Sequence, residues 1–193
     1  ELRCAPHHYS GPARLSGMLT RLLDSEIRSS GAYLAEIIYG ANDGIVTTFA
    51  VVSGVAGAAL DPGIVVVLGV ANLLADGFSM GMSNYLSRQS DIAYQATVGE
   101  TTDTEKAPVY TALVTFLSFV VAGWTPLLPY IASVRPLFEL SVVTTVVVFF
   151  LVGASRTFVT RRSWYRSGAE MLGVGLVAAG AAYGVGAFLS GVA

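Results

Sequence analysis

Five long stretches of this chain carry almost no charge: residues 33–60, 63–86, 109–131, 137–154 and 168–188. Each approaches or exceeds the roughly 20 mostly apolar residues that a membrane-spanning helix needs, whereas buried helices of soluble domains are usually shorter. Charged residues make up 12% of the sequence, against roughly 25% in a soluble domain. The expected fold is therefore all-α: an integral membrane protein with five transmembrane helices per subunit. Asp61-Pro62 closes the first stretch, and Pro126 and Pro129 fall near the end of the third.

The basic residues give an orientation. Arg3, Arg14, Arg21 and Arg28 precede the first stretch, Arg88 and Lys106 separate the second from the third, and Arg156, Arg161, Arg162 and Arg166 separate the fourth from the fifth. Only Arg135 falls on the opposite side. The positive-inside rule then predicts a cytoplasmic N-terminus and an outside or luminal C-terminus. Trp124, Tyr130, Trp164 and Tyr165 sit near helix ends, as an interfacial aromatic belt would. Leu15, Met18, Leu19, Leu22 and Leu23 recur at helical spacing opposite Arg14, Arg21, Asp24 and Arg28, which predicts an amphipathic helix on the membrane surface.

The organisation expected is a cytoplasmic tail with that amphipathic helix over 1–32, then a transmembrane domain over 33–193 with a short cytoplasmic loop at 88–108. The start at Glu1 also admits the reading that this is the membrane half of a larger protein. The opening residues lack the apolar core of a signal peptide. A net charge of −2 leaves no nucleic-acid footprint, and Cys4, the single cysteine, allows no internal disulfide. No His-Glu-x-x-His zinc motif is present, and neither His7 nor His8 falls within an apolar stretch, so an enzyme is not expected.

Ionisable groups in hydrocarbon are costly and mark function. Asp43 and Asp76 lie well inside the first and second stretches, and Glu36 lies near the cytoplasmic mouth of the first. Glu139 and Glu170 read as solvated helix ends. Glu36 and Asp43 are seven residues apart, so they share a helix face about 10 Å apart along the axis. Asn72, Asp76, Met80 and Asn84 recur every four residues and form one polar stripe. A path suggests itself: Glu36 at the mouth, then Asp43 with Met80, then Asp76 with Thr47. Carboxylates suit hard cations, and a thioether adds softness that favours a transition metal. The competing reading makes Met80 and Met82 packing residues, and Asn42-Asp43-Gly44 a helix distortion. Gly40-x-x-x-Gly44, Gly77-x-x-x-Gly81 and Gly180-x-x-x-Gly184 permit close helix contact, within one chain or across a dimer seam. Cys4, His7 and His8 are read as tail rather than as a metal site.

These residues also carry a resemblance. Residues 39–48, YGANDGIVTT, and 53–58, SGVAGA, resemble the first helix of the vacuolar iron transporter family. Residues 71–87, ANLLADGFSMGMSNYLS, resemble its second, 126–130, PLLPY, the end of its third, and 162–168, RSWYRSG, the start of its fifth. The likeness spans roughly 33–190. It implies a homodimer of five-helix subunits that moves Fe²⁺, often also Mn²⁺, out of the cytosol in exchange for protons, along a path near the dimer seam. By motif, the aspartate and methionine acting on the ion are Asp43 and Met80, with Glu36 at the mouth. Asp76, Asn42, Thr47 and Asn84 complete the candidate metal-contacting set. No cofactor is expected beyond the transported ion and the coupling proton.

One departure is clear. Many members insert a Glu-rich metal-binding domain between helices 2 and 3, whereas the connection here is too short and keeps only Asp91, Glu100, Asp103 and Glu105. Asn84 stands where some members carry Glu. The pattern is that of a short bacterial or nodulin-like branch, in a plasma membrane if prokaryotic and a vacuolar membrane if eukaryotic. A membrane metal sensor or storage module is the rival function.

Overall fold

The computed structural model describes residues 33–99, 107–157 and 163–191. The amphipathic segment 15–27, the Cys4, His7 and His8 cluster, Glu100, Asp103, Glu105, Arg161 and Arg162 lie outside the described residues. Among the described residues, five long helices make up the fold: α1 (Leu34–Gly57), α2 (Pro62–Val98), α3 (Pro108–Gly123), α4 (Leu137–Ser155) and α5 (Trp164–Leu189).

Local chemistry sets their ends. Asp61 caps α2, its carboxylate accepting from the Gly63 N–H at 2.7 Å, and Pro62 occupies the first turn, where its missing N–H costs nothing. Pro108 opens α3 in the same way. Past Gly123 the chain makes a 3₁₀ turn, Thr125–Leu127, and one α turn, Leu128–Ile131. Pro126 and Pro129 lack the N–H that would continue α3 smoothly. The Ser141 hydroxyl on α4 donates to the Pro126 carbonyl at 2.7 Å, tying α4 to this break.

The sequence pattern places the end of the second helix near Leu86 and a loop from 88. Instead α2 is helical through Val98, 37 residues in all, about 55 Å long. Nothing in 87–98 breaks a helix; the stop is Gly99, in the left-handed region at φ 74°, which glycine adopts without steric cost. The polarity of this stretch reports its solvent, not its conformation.

Pro62–Val98, Pro108–Ile131, Leu137–Ser155 and Trp164–Leu189 are each long and apolar enough to cross a bilayer. In α1, Asn42 and Asp43 dilute an otherwise comparable helix of 24 residues. Side chains are sorted for lipid. Val67, Phe78, Val121, Val177 and Phe188 are more than 60% exposed, a surface too apolar for a water-facing monomer. The interior holds fully buried Thr48, Thr111, Thr115, Ser141 and Thr145. The chain is a multi-pass membrane protein with an all-α fold.

At the centre stands α1, in contact with all four other long helices. Small residues let it approach. A Cβ on Gly40 would lie 2.5 Å from the Thr115 carbonyl oxygen of α3, and one on Gly44 would overlap that of Phe119. Gly77 and Gly81 of α2 also face α3. Gly180 and Gly184 meet nothing within 4 Å, so that pair serves no contact among the described residues. The apolar core lies toward the Pro126 end, where Phe49, Val52, Val55, Val65, Leu127 and Tyr130 pack together.

Candidate functional site

Two adjacent stripes run down α2. Val65, Gly69, Leu73, Gly77 and Gly81 are buried, the last two against α3. One residue before Leu73, Gly77 and Gly81 come Asn72, Asp76 and Met80; Asn84 and Arg88 continue that line, and all five are half-buried. The polar stripe expected from the sequence therefore exists, and it runs one turn further to an arginine.

Arg88 fixes the register of α2 on α1. Its Nη2 lies 3.7 Å from Oε1 of Glu36, whose side chain is 10% exposed. The helices are antiparallel across the short turn at 58–61. Seven residues inward from Glu36 comes Asp43, about 10 Å deeper; eight inward from Arg88 comes Met80, about 12 Å deeper. Asp43 and Met80 thus share a level, with Asp76 one turn beyond Met80. The Asp43 and Asp76 carboxylates lie within electrostatic reach of each other. Among the described residues, no basic side chain pairs with either.

The remaining candidates divide. The Thr47 hydroxyl donates to the Asp43 carbonyl at 2.9 Å, which leaves its oxygen lone pairs as acceptors. Asn84 is anchored sideways: its Nδ2 donates to Thr115 Oγ1 at 2.9 Å, and Thr115 donates to the Thr111 carbonyl at 2.8 Å. Asn42 does not join this set. It lines a separate groove of about 460 Å³ between α1 and α5, with Tyr39, Arg156, Glu170 and Met171. Adjacent helical residues point about 100° apart, so Asn42 and Asp43 serve different faces. Glu139 and Glu170 are exposed, as their positions near helix starts suggest.

Sequence reasoning missed two residues of the site. Arg88 was legible as the next step of the four-residue stripe; Thr115, a hydroxyl within an apolar run, gave no such signal. Chemically, one subunit offers two carboxylates and a thioether along this face. Among the described residues no three His, Cys, Asp or Glu side chains gather into a closed metal site. Two carboxylates fall short of the six or more oxygen ligands that a hard cation takes when held.

A sequence profile of the VIT family matches residues 34–102 and 91–187. The chain belongs to the VIT family. Over 62 residues, 32% of the chain, it is 47% identical to a vacuolar iron transporter of Plasmodium berghei, covering 23% of that protein. Matches to relatives from Plasmodium falciparum and Toxoplasma gondii are equally local, covering 20% and 22% of those proteins. Plant family members align more fully. Vacuolar iron transporter 1 of Eucalyptus grandis is 23% identical, with 86% of this chain and 91% of the relative covered; that of Arabidopsis thaliana is 25% identical, with 80% and 85% covered. The Eucalyptus alignment runs over 226 positions, more than the 193 residues present here. It therefore skips relative residues that this chain lacks, in keeping with the short link between α2 and α3.

Proposed function

We propose that this chain is a transporter that carries Fe²⁺, with Mn²⁺ as a second cargo, out of the cytosol in exchange for protons. The observation that carries the reading is the Asp43 and Asp76 pair. Two carboxylates lie within electrostatic reach of each other inside apolar helices, with Met80 level with Asp43 and no basic residue paired with either among those described. Two like charges so placed repel, and either a cation or a proton relieves the repulsion. A metal ion arriving displaces the proton, and a proton replaces the departing metal. Exchange follows from the site rather than from a separate device.

On this reading α1 also spans the membrane, giving five spans, with the N-terminus cytoplasmic by the ten-to-one split of Arg and Lys. The subunit acts as a homodimer. A two-fold axis brings two copies of Asp43 and Met80 to one path, supplying the ligands that one subunit lacks. The membrane is the plasma membrane of a prokaryote or the vacuolar membrane of a eukaryote.

The test is Fe²⁺ and Mn²⁺ flux in proteoliposomes, with and without a pH gradient, for wild type and Asp43→Ala. Gradient-dependent flux lost in the variant is the expected result. Undiminished flux in Asp43→Ala would overturn the assignment, and tight metal binding without flux would favour a sensor or storage module.

A further inference from the structure

We propose that Arg88 is a resident counter-ion at the mouth of the α1–α2 path, a built-in cation that arriving metal must displace from Glu36. In this role it sets the affinity of the mouth and its discrimination between divalent and monovalent ions. The inference rests on the transport reading above.

Glu36 is 8% exposed, so its carboxylate has lost most of its water and requires compensating charge. Arg88 supplies some of it. At 3.7 Å the pair is longer than the roughly 2.7–2.9 Å of a tight charge-assisted hydrogen bond, yet close enough for direct attraction. The partners are unequal: 39% of the arginine side chain is exposed against 10% of the glutamate's. The fixed member is thus the buried acid, and the movable member keeps access to solvent. A long side chain in that position can swing out without being stranded in hydrocarbon. Half-exposed ion pairs hold weakly, so displacement is inexpensive. A divalent ion brings twice the guanidinium's charge and can bind the carboxylate directly. A sodium or potassium ion offers only equal charge and gains little. Because arginine stays protonated at every physiological pH, the discrimination is independent of the proton exchange deeper in the path. Arg88 also stands in line with Asn72, Asp76, Met80 and Asn84, which places the competition at the head of the route.

The experiment is Mn²⁺ uptake by proteoliposomes at graded Mn²⁺ and Na⁺ concentrations. Arg88→Gln should lower half-saturating Mn²⁺ about threefold to fivefold, the range a half-exposed ion pair supports, and make uptake sensitive to Na⁺. Arg88→Lys should keep wild-type behaviour, and Glu36→Gln combined with Arg88→Gln should lose the gain. A folded Arg88→Gln with unchanged half-saturation and Na⁺ tolerance, beside an Asp43→Ala without flux, overturns the counter-ion role and leaves the transport reading standing. Full flux in Asp43→Ala overturns both. Should Arg88→Gln fail to assemble, Arg88→Cys in a Cys4→Ser background separates charge from fold. After purification, a cationic methanethiosulfonate should restore wild-type half-saturation and a neutral one should not. Equal effects of the two reagents refute the proposal.

Discussion

Replacing Gly44 with alanine tests the claim that α1 is positioned by backbone contact with α3. The added Cβ would overlap the Phe119 carbonyl oxygen, with the Phe119 carbonyl carbon 2.9 Å and Cα 3.0 Å away. All three obstacles are backbone, so no rotamer change relieves them. Restoring ordinary contact requires α1 and α3 to part by on the order of 1 Å, and a close-packed interior transmits such a shift. Overpacking costs about 1–3 kcal/mol, and an immovable obstacle argues for the upper end. Alanine returns up to about 1 kcal/mol of helix propensity. The net loss is about 2 kcal/mol, or roughly 4–8 °C in melting temperature for a chain of this length. The assay is loss of the monodisperse gel-filtration peak after heating in detergent. Gly173→Ala is the control: a Cβ there meets nothing within 4 Å, so its melting temperature should hold or rise slightly. Gly44 also follows Asp43 directly, so Gly44→Ala should weaken metal flux even where folded protein remains. Equal melting of the two variants would refute the packing argument.

Two further outcomes are expected. Ser141→Ala removes the hydroxyl that donates to the Pro126 carbonyl at 2.7 Å; an unsatisfied buried acceptor costs about 1–3 kcal/mol, which the same melting assay would register. Met80→Ala should reduce Fe²⁺ and Mn²⁺ flux and let Mg²⁺ compete better, because only oxygen donors remain at the level of Asp43. Unchanged metal preference in a competition assay would make Met80 a packing residue.

Hydropathy and breakers made most of the fold legible. Four apolar runs became the four helices able to cross a membrane, and Asp61-Pro62, Pro126 and Pro129 marked real joints. The extension of α2 was hidden because apolar runs report where lipid ends, whereas a helix ends where its backbone can turn, at Gly99. The stripe from Asn72 to Asn84 was legible because helical spacing of four survives any tertiary arrangement. Asn42 was grouped with Asp43 by adjacency in a motif, although neighbours in a helix look in different directions. Thr115 was hidden for a simpler reason: what it holds, Asn84, lies 31 residues away in the chain, and no local pattern encodes that contact.

The distribution of positive charge along the α1–α2 face bears on why these acids are where they are. A buried carboxylate needs a partner wherever it sits, and the protein could have placed an arginine beside each one. It does so at Glu36, near the membrane surface, where a long basic side chain can reach back to water. At Asp43 and Asp76, about two and three helical turns deeper, none is placed among the described residues. A permanent cation there would bind too firmly to be displaced, since buried ion pairs broken on one side leave a large uncompensated cost. Leaving the deep pair without a resident partner reserves the position for an ion or proton that can depart. A basic residue engineered at that depth, such as Thr47→Lys, should therefore stabilise the folded protein against heat while abolishing metal flux. If Thr47→Lys instead melts lower than wild type, the deep carboxylates are not short of positive charge, and their pairing serves the fold rather than transport.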